Sequence, residues 1–217
     1  MVNLGAITDN HIKKILIKKR IFDFFISMIS LVIFIPLFLL FYLLIFIHSG
    51  YPVIFKQVRF GQYGKSFTIY KFRTMVVSND KNFISTSNDK RITKIGKVLR
   101  KLKLDEIPEI INIIKGNMSF VGPRPDMPEY LEKINDNDKV ILNLKPGLTG
   151  PASLKYINEE DILSNVPDPK LYNDNVIFPD KVRINKLYIE QWSFFLDLKI
   201  IYHTLIRKPY KECNYFK

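Results

Sequence analysis

The sequence predicts an α+β protein: one N-terminal membrane helix followed by a compact, mostly helical domain that carries a short β-hairpin and amphipathic helices at the membrane interface. Three observations carry that prediction. From Phe24 to Ile47 the chain runs 24 residues without a charge, long enough to enter a hydrocarbon core about 30 Å thick. After Gly50 come two strand-like stretches, VIFKQVRF and FTIYKF, joined by GQYGKS, the pattern of a hairpin. Further on, Ile95, Val98, Leu99 and Leu102 fall at helical spacing.

Composition sets outer limits. A chain of 217 residues suits one domain plus an appendage. With 47% hydrophobic and 25% charged residues it is too apolar for a disordered tail, and it has no solenoid or collagen repeat. The lone Cys213 excludes an intrachain disulfide framework, and the lack of a CxxC or Cys/His cluster excludes the usual structural zinc sites, so a reducing cytoplasm is expected. The formal charge of +12 points to nucleic acid or to anionic membrane lipid. Position along the chain decides between them.

Three segments are expected: a basic juxtamembrane stretch (1–20), a membrane helix (21–48) and a cytosolic domain (49–217). Lys13, Lys14, Lys18, Lys19 and Arg20 precede the apolar run, and Lys56, Arg59, Lys65, Lys71 and Arg73 follow it. The positive-inside rule keeps both ends cytoplasmic. Pro36, at the middle of the run, lacks an N–H and bends a helix. Together these predict a re-entrant hairpin bent at Pro36, with Lys19 and Arg20 at the membrane interface; a single kinked span is the other reading.

In the hairpin, GQYGKS is not a P-loop: it has two residues between the glycines where that motif has four, and it joins two strands. Period two places Lys71 and Arg73 on one face. Ser78 to Lys90 reads as a polar loop. The segment around Ile95 to Leu102, ringed by Lys94, Lys97, Arg100, Lys101 and Lys103, is a basic amphipathic helix, suited either to a membrane surface or to packing on the core. Ser193 caps a last helix running to about Ile206, with Phe195, Leu198, Ile201, Tyr202 and Leu205 on one side as core or interface. His11, His48 and His203 are isolated, so histidine metal ligation is not expected.

Chemistry concentrates in RKLKLDEIPEIINIIKGNMSFVGPRPD, residues 100–126. Pro108 suits the first turn of a helix, which puts Asp105 and Glu106 at or just before its N-terminus. The helix dipole and the cations upstream are expected to hold both carboxylates ionised. An ionised aspartate can attack phosphorus, and adjoining carboxylates begin a Mg²⁺ site; ordinary helix capping accounts for the same pair. Gly122-Pro123-Arg124-Pro125 fixes a guanidinium on a stiffened turn, preorganised for phosphate. Lys145-Pro146-Gly147-Leu148-Thr149-Gly150-Pro151 is a second rigid turn whose glycines permit close backbone approach.

These segments together, KRIFD before an apolar run with a central proline, YPVIFKQVRFGQYGKSFTIYKFRTM, DKRITKIGKVLRKLKLDEIPEIINIIKGNMSFVGPRPDMPEY, KPGLTGPASL and FPDKVRINKLYIEQWSFFLDLKI, resemble the bacterial sugar transferases called monotopic phosphoglycosyl transferases, from about Lys19 to Arg207. The length resembles that family's minimal single-domain form. The resemblance implies a two-step reaction at the cytoplasmic face of the inner (cytoplasmic) membrane, in which a UDP-sugar gives up its phosphosugar to an aspartate, releasing UMP, and undecaprenyl phosphate then takes it. By motif position Asp105 is the nucleophile and Glu106 its partner, with Mg²⁺ held at the pair. Arg124, between Pro123 and Pro125, contacts the nucleotide sugar, Arg100 sits at the lipid headgroup, and Lys71 and Arg73 contact phosphate. Many members carry Ser before the membrane proline where this chain has Ile35; Ser27 and Ser30 lie earlier. The segments PGLTGPASLKY and NEEDILSNVPDPKLY are expected to influence sugar choice. A membrane-surface homodimer is conceivable.

A competing reading is a non-catalytic, membrane-anchored basic protein that binds anionic lipid or nucleic acid. Against nucleic acid stand the lack of aromatic residues interleaved with basic ones and the acidic pair inside the basic region. A nearer competitor keeps the enzyme but has a lipid hydroxyl attack directly, with Asp105 serving only as metal ligand or base.

Overall fold

The computed structural model describes residues 9–76, 89–208 and 215–216. The polar loop expected at Ser78–Lys90 lies largely outside them, as does Cys213. The architecture is mostly helical with two small sheets, as an α+β reading requires.

Helix α1 runs from Asp9 to Ser49, with Pro36 inside it. It begins well before the apolar run, so the basic residues 13–20 belong to the same helix. Among the described residues it is the one helix long and apolar enough to cross a membrane. At about 1.5 Å per residue it would be about 60 Å long if straight. Ile12, Ile15, Lys19, Asp23 and Ser27 are buried near one end, and Ile45 near the other, while residues 32–36 are exposed. The three- and four-residue spacing of the buried positions marks one stripe of the helix. Ile15 packs in the main core with Leu144, Tyr188, Leu196 and Ile200. Ile45 joins Val53, Phe72 and Leu99, flanked by Phe38, Phe41 and Tyr42. Both ends of α1 therefore rest on the same domain. The Ser27 hydroxyl donates to the Phe24 carbonyl at 3.0 Å, so it serves its own turn and not the carbonyls around Pro36.

Strands β1 (Ile54–Phe60) and β2 (Ser66–Phe72) form the antiparallel hairpin, with Ile54 opposite Phe72 and Phe60 opposite Ser66. Helix α2 (Lys94–Leu102) is capped by the Thr93 hydroxyl, which accepts from the Gly96 amide at 2.9 Å. Leu99 points inward, whereas Val98 and Leu102 are exposed. Lys103 then adopts a left-handed conformation (φ 58°) and turns the chain into a 3₁₀ segment, Leu104–Glu109, that leads directly into α3 (Ile110–Ile114). Pro108 lies inside that segment and not at the start of a separate helix.

Strand β3 (Ser119–Val121) pairs in parallel with β4 (Gly147–Thr149). The remaining chain forms α4 (Pro151–Lys155), α5 (Glu159–Ser164), α6 (Pro169–Tyr172), α7 (Phe178–Glu190) and α8 (Phe194–Leu205). Ser193 caps α8 as expected, accepting from the Leu196 amide at 3.1 Å. Leu196, Asp197 and Ile200 face inward, while Phe195, Leu198, Tyr202 and Leu205 are exposed. The apolar side read from the sequence is thus an outer face, with only Ile201 packed against the core.

Candidate active site

The left-handed turn at Lys103 aims the 3₁₀ segment so that Asp105, Glu106 and Glu109 are all buried against β2. Lys71, the next-to-last residue of β2, places its ammonium 2.8 Å from Glu106 Oε1 and 3.1 Å from Glu109 Oε1. Arg124 reaches the same Glu106 oxygen with Nη2 at 2.8 Å. One carboxylate oxygen thus holds two cations. Asp105 differs: its Oδ1 is buried without a hydrogen-bond partner.

The charges divide accordingly. Burial acts to raise the Glu106 carboxyl, but Lys71, Arg124 and Lys103 outweigh it and hold it well below the usual carboxylate range. Burial, then the neighbouring Glu106 charge, raises Asp105 above its ordinary value against the pull of Lys71, Lys103 and Arg100. Burial pushes Glu109 up to about 7. The upstream cations thus pull on both carboxyls, but at Asp105 desolvation, which chain neighbours do not reveal, outweighs them, whereas at Glu106 the closer Lys71 and Arg124 prevail.

Arg124 is fixed by two turns locked together. The Gly147 amide donates to the Pro123 carbonyl at 2.7 Å, and the Gly122 amide to the Thr149 carbonyl at 2.9 Å. A Cβ at Gly147 would stand 2.1 Å from the Gly122 nitrogen, and one at Gly122 would stand 2.4 Å from the Lys145 carbonyl oxygen. Only glycine permits this approach, as the KPGLTGP turn predicts.

The structure therefore brings together Asp105, Glu106, Lys71 and the Pro123-Arg124-Pro125 turn. Arg73 is not among them: β2 ends at Phe72, and the Arg73 guanidinium donates to the Ser49 carbonyl and, at 2.8 Å, to the Gly50 carbonyl. It stabilises the end of α1, where carbonyls lack helical partners. Arg100 lies on the α2 side of the cluster and forms an ion pair with Glu160 of α5. Two residues assigned to the membrane interface face the protein instead. Lys19 is 5% exposed, its ammonium 2.6 Å from Asp197 and 2.9 Å from the Tyr188 hydroxyl. Arg20 donates to the Ile113 and Ile114 carbonyls at 2.8 and 2.9 Å, closing the end of α3. Pro36 lies in the exposed middle of α1.

Glu109 was missed by the sequence reading. Its signal was available, since it falls one turn after Glu106 and Asp105 and so returns to their side of a helical segment. Glu159 also borders the site, accepting from Lys181 at 2.7 Å.

Among the described residues no group of three or more His, Cys, Asp or Glu side chains is arranged to hold a metal ion. A hard cation such as Mg²⁺ needs no such cage, because it binds through one or two carboxylates and takes further oxygens from phosphate and water. The unpartnered Asp105 oxygen fits that requirement.

Residues 13–208 match the family of bacterial sugar transferases. The chain is 40% identical over 156 residues to an uncharacterized sugar transferase, EpsL, of Bacillus subtilis, covering 72% of this chain and 69% of that one. It is 34% identical over 204 residues to the exopolysaccharide production protein ExoY of Rhizobium meliloti, covering 86% and 83%. It is 36% identical over 195 residues to the UDP-glucose:undecaprenyl-phosphate glucose-1-phosphate transferase of Klebsiella pneumoniae; that match covers 87% of this chain but 39% of the relative. The matched region contains every member of the carboxylate and cation cluster, and the chain belongs to the bacterial sugar transferase family.

Proposed function

We propose that the protein moves a phosphosugar from a UDP-sugar to undecaprenyl phosphate, giving undecaprenyl diphosphate sugar and UMP, at the cytoplasmic face of the inner membrane as the first membrane step of glycan synthesis. The observation that carries this reading is the asymmetry of the carboxylate pair. Glu106 is held by two cations, while Asp105, beside them, keeps a buried oxygen free of hydrogen bonds. The activity named for the Klebsiella relative supports the same substrates.

In the first step an Asp105 oxygen attacks the phosphorus that bears the sugar. The bond from that phosphorus to the bridging oxygen breaks, and its electron pair leaves with UMP. An oxygen of undecaprenyl phosphate then attacks the same phosphorus, and the bond to Asp105 breaks to restore the carboxylate. Phosphoryl transfer depends chiefly on positioning and charge neutralisation. Arg124, stiffened by Pro123 and Pro125, orients the donor phosphates, and Lys71 offsets their charge. Arg100, at the edge of the cluster, meets the acceptor phosphate. Mg²⁺ bound at Asp105, with Glu106 beside it, would neutralise charge on the diphosphate. Chelating divalent cations is expected to reduce UMP release to background, with restoration by added Mg²⁺; full turnover in excess chelator would remove the metal from the reaction.

The membrane arrangement follows the same reading. A helix that crosses a bilayer carries its ends about 30 Å apart on opposite faces, out of reach of a domain confined to one. Contact of both ends of α1 with one domain supports a re-entrant helix whose exposed middle, around Pro36, enters the lipid. The exposed Phe195, Leu198, Tyr202 and Leu205 of α8, with Val98 and Leu102 of α2, supply apolar surface for the interface. In a Cys213→Ser background, Lys18→Cys and Tyr51→Cys are both expected to be labelled from the cytoplasmic side by a membrane-impermeant reagent. Labelling from opposite sides would establish a span.

The test of the function itself is UMP release from a panel of UDP-sugars by protein in nanodiscs with undecaprenyl phosphate and Mg²⁺. Release with one donor establishes the reaction and names the sugar. No release with any donor, from folded protein, would refute it.

A further inference from the structure

We propose that Glu109 is a positioning residue for the transfer, holding the Lys71 ammonium in place while the cations of the cluster turn to the donor phosphates. The inference rests on the phosphosugar transfer described above and adds a residue to it.

Glu109 is 2% exposed. It ends the 3₁₀ segment, and its side chain is 3% exposed against 18% for that of Lys71, so Lys71 is the more accessible of the two to an entering phosphate. Lys71 is shared between Glu106 at 2.8 Å and Glu109 at 3.1 Å, whereas Arg124 pairs with Glu106 at 2.8 Å. An arriving diphosphate competes for the cations on Glu106. Arg124 keeps its place because two prolines and the Gly122–Gly147 contact fix its backbone. Lys71 has no such support: its charge sits at the end of a flexible four-carbon stem. A second carboxylate, too deep to touch substrate, keeps that charge from following Glu106 or swinging out.

The position is a costly one for an acid. Burial pushes Glu109 up to about 7, and buried ion pairs contribute little net stability over apolar replacements. Glu109 also keeps the largely buried Lys71 charge paired, so its positioning role is read from kcat and from coupling to Lys71 and not from stability.

The experiment measures UMP release, with kcat and KM for the active donor and a melting temperature, for the parent and for Glu109→Ala, Glu109→Gln, Lys71→Ala and the Lys71→Ala/Glu109→Ala pair. Glu109→Ala is expected to lower kcat about tenfold or more while KM stays within about twofold, the signature of an interaction needed in the transition state. Glu109→Gln, which keeps an acceptor oxygen, recovers part of that loss. In the Lys71→Ala background Glu109→Ala is expected to cost nothing further, because a residue that acts only through Lys71 is silent without it. An equal loss in both backgrounds, or parental kcat in folded Glu109→Ala, would overturn the proposal. Should Glu109→Ala fail to fold, the same cycle with Glu109→Gln decides. A parent that releases no UMP overturns the transfer reading, and this role with it; an active parent with an additive cycle overturns the role of Glu109 alone.

Discussion

Asp105→Asn is expected to end UMP release, by about a thousandfold or more, and to leave the protein at least as stable as its parent. The loss follows from chemistry: an amide oxygen does not attack phosphorus to give a stable acyl phosphate, and removing a nucleophile is among the largest single effects known in enzymes. The stability arises from environment. Asp105 Oδ1 has no hydrogen bond to lose, and Asn has the same shape. Burial raises the Asp105 carboxyl above its ordinary value. A carboxyl whose pKa rises on folding binds its proton more tightly in the native state, so its ionisation costs stability at neutral pH, and the cost is absent at low pH. Asn removes that cost. Melting temperature and turnover should therefore move in opposite directions, a mark of a functional group held against the interest of the fold. Retained turnover in Asp105→Asn would exclude the covalent step. Lost turnover with a large fall in melting temperature would point instead to a structural role.

The largest loss of stability is expected at Lys19. Its ammonium lies 2.6 Å from Asp197, which also accepts from the Trp192 indole at 3.1 Å and from the Tyr188 hydroxyl. Lys19→Met keeps much of the side-chain volume but strands a buried aspartate charge, at a cost of about 3–5 kcal/mol. For a chain of this size that corresponds to a fall of about 10 °C in melting temperature. Because the pair joins α1 to α7 and α8, the fall should come with loss of protection in the N-terminal third of α1 on hydrogen exchange. Lys19→Met/Asp197→Leu should recover only part of the loss, since no charge is then stranded but the Tyr188 hydroxyl and the Trp192 indole lose their acceptor. Unchanged melting in the single variant would show the ion pair to be dispensable.

These cases also mark how far the sequence could be read. The hairpin, the Ser193 cap and the rigid PRP turn rest on signals within a few residues, and they recur in the fold, whereas Asp105 and Glu106 lie inside a 3₁₀ segment that also holds Pro108. The neighbours of Lys19 and Arg20 suggest membrane-facing cations. Their partners lie 178 and more than 90 residues away, where no local pattern reaches. Arg73 shows a different failure. Alternation along a strand places it correctly beside Lys71 only while the strand continues, and β2 stops one residue short. Charge state was the least legible property, because Asp105 and Glu106 are adjacent in sequence yet shifted in opposite directions by burial and by which of them the cations reach.

The attachment of both ends of α1 to one domain has a mechanical consequence. A spanning helix must match its length to the bilayer, and mismatch makes it tilt, distorts the lipid or sorts the protein between membranes of different thickness. A helix returned to the face it entered escapes that constraint. In the re-entrant arrangement proposed above, α1 would wedge into one leaflet only, and lipid packing in that leaflet, rather than the thickness of the whole membrane, would govern how deeply it sits.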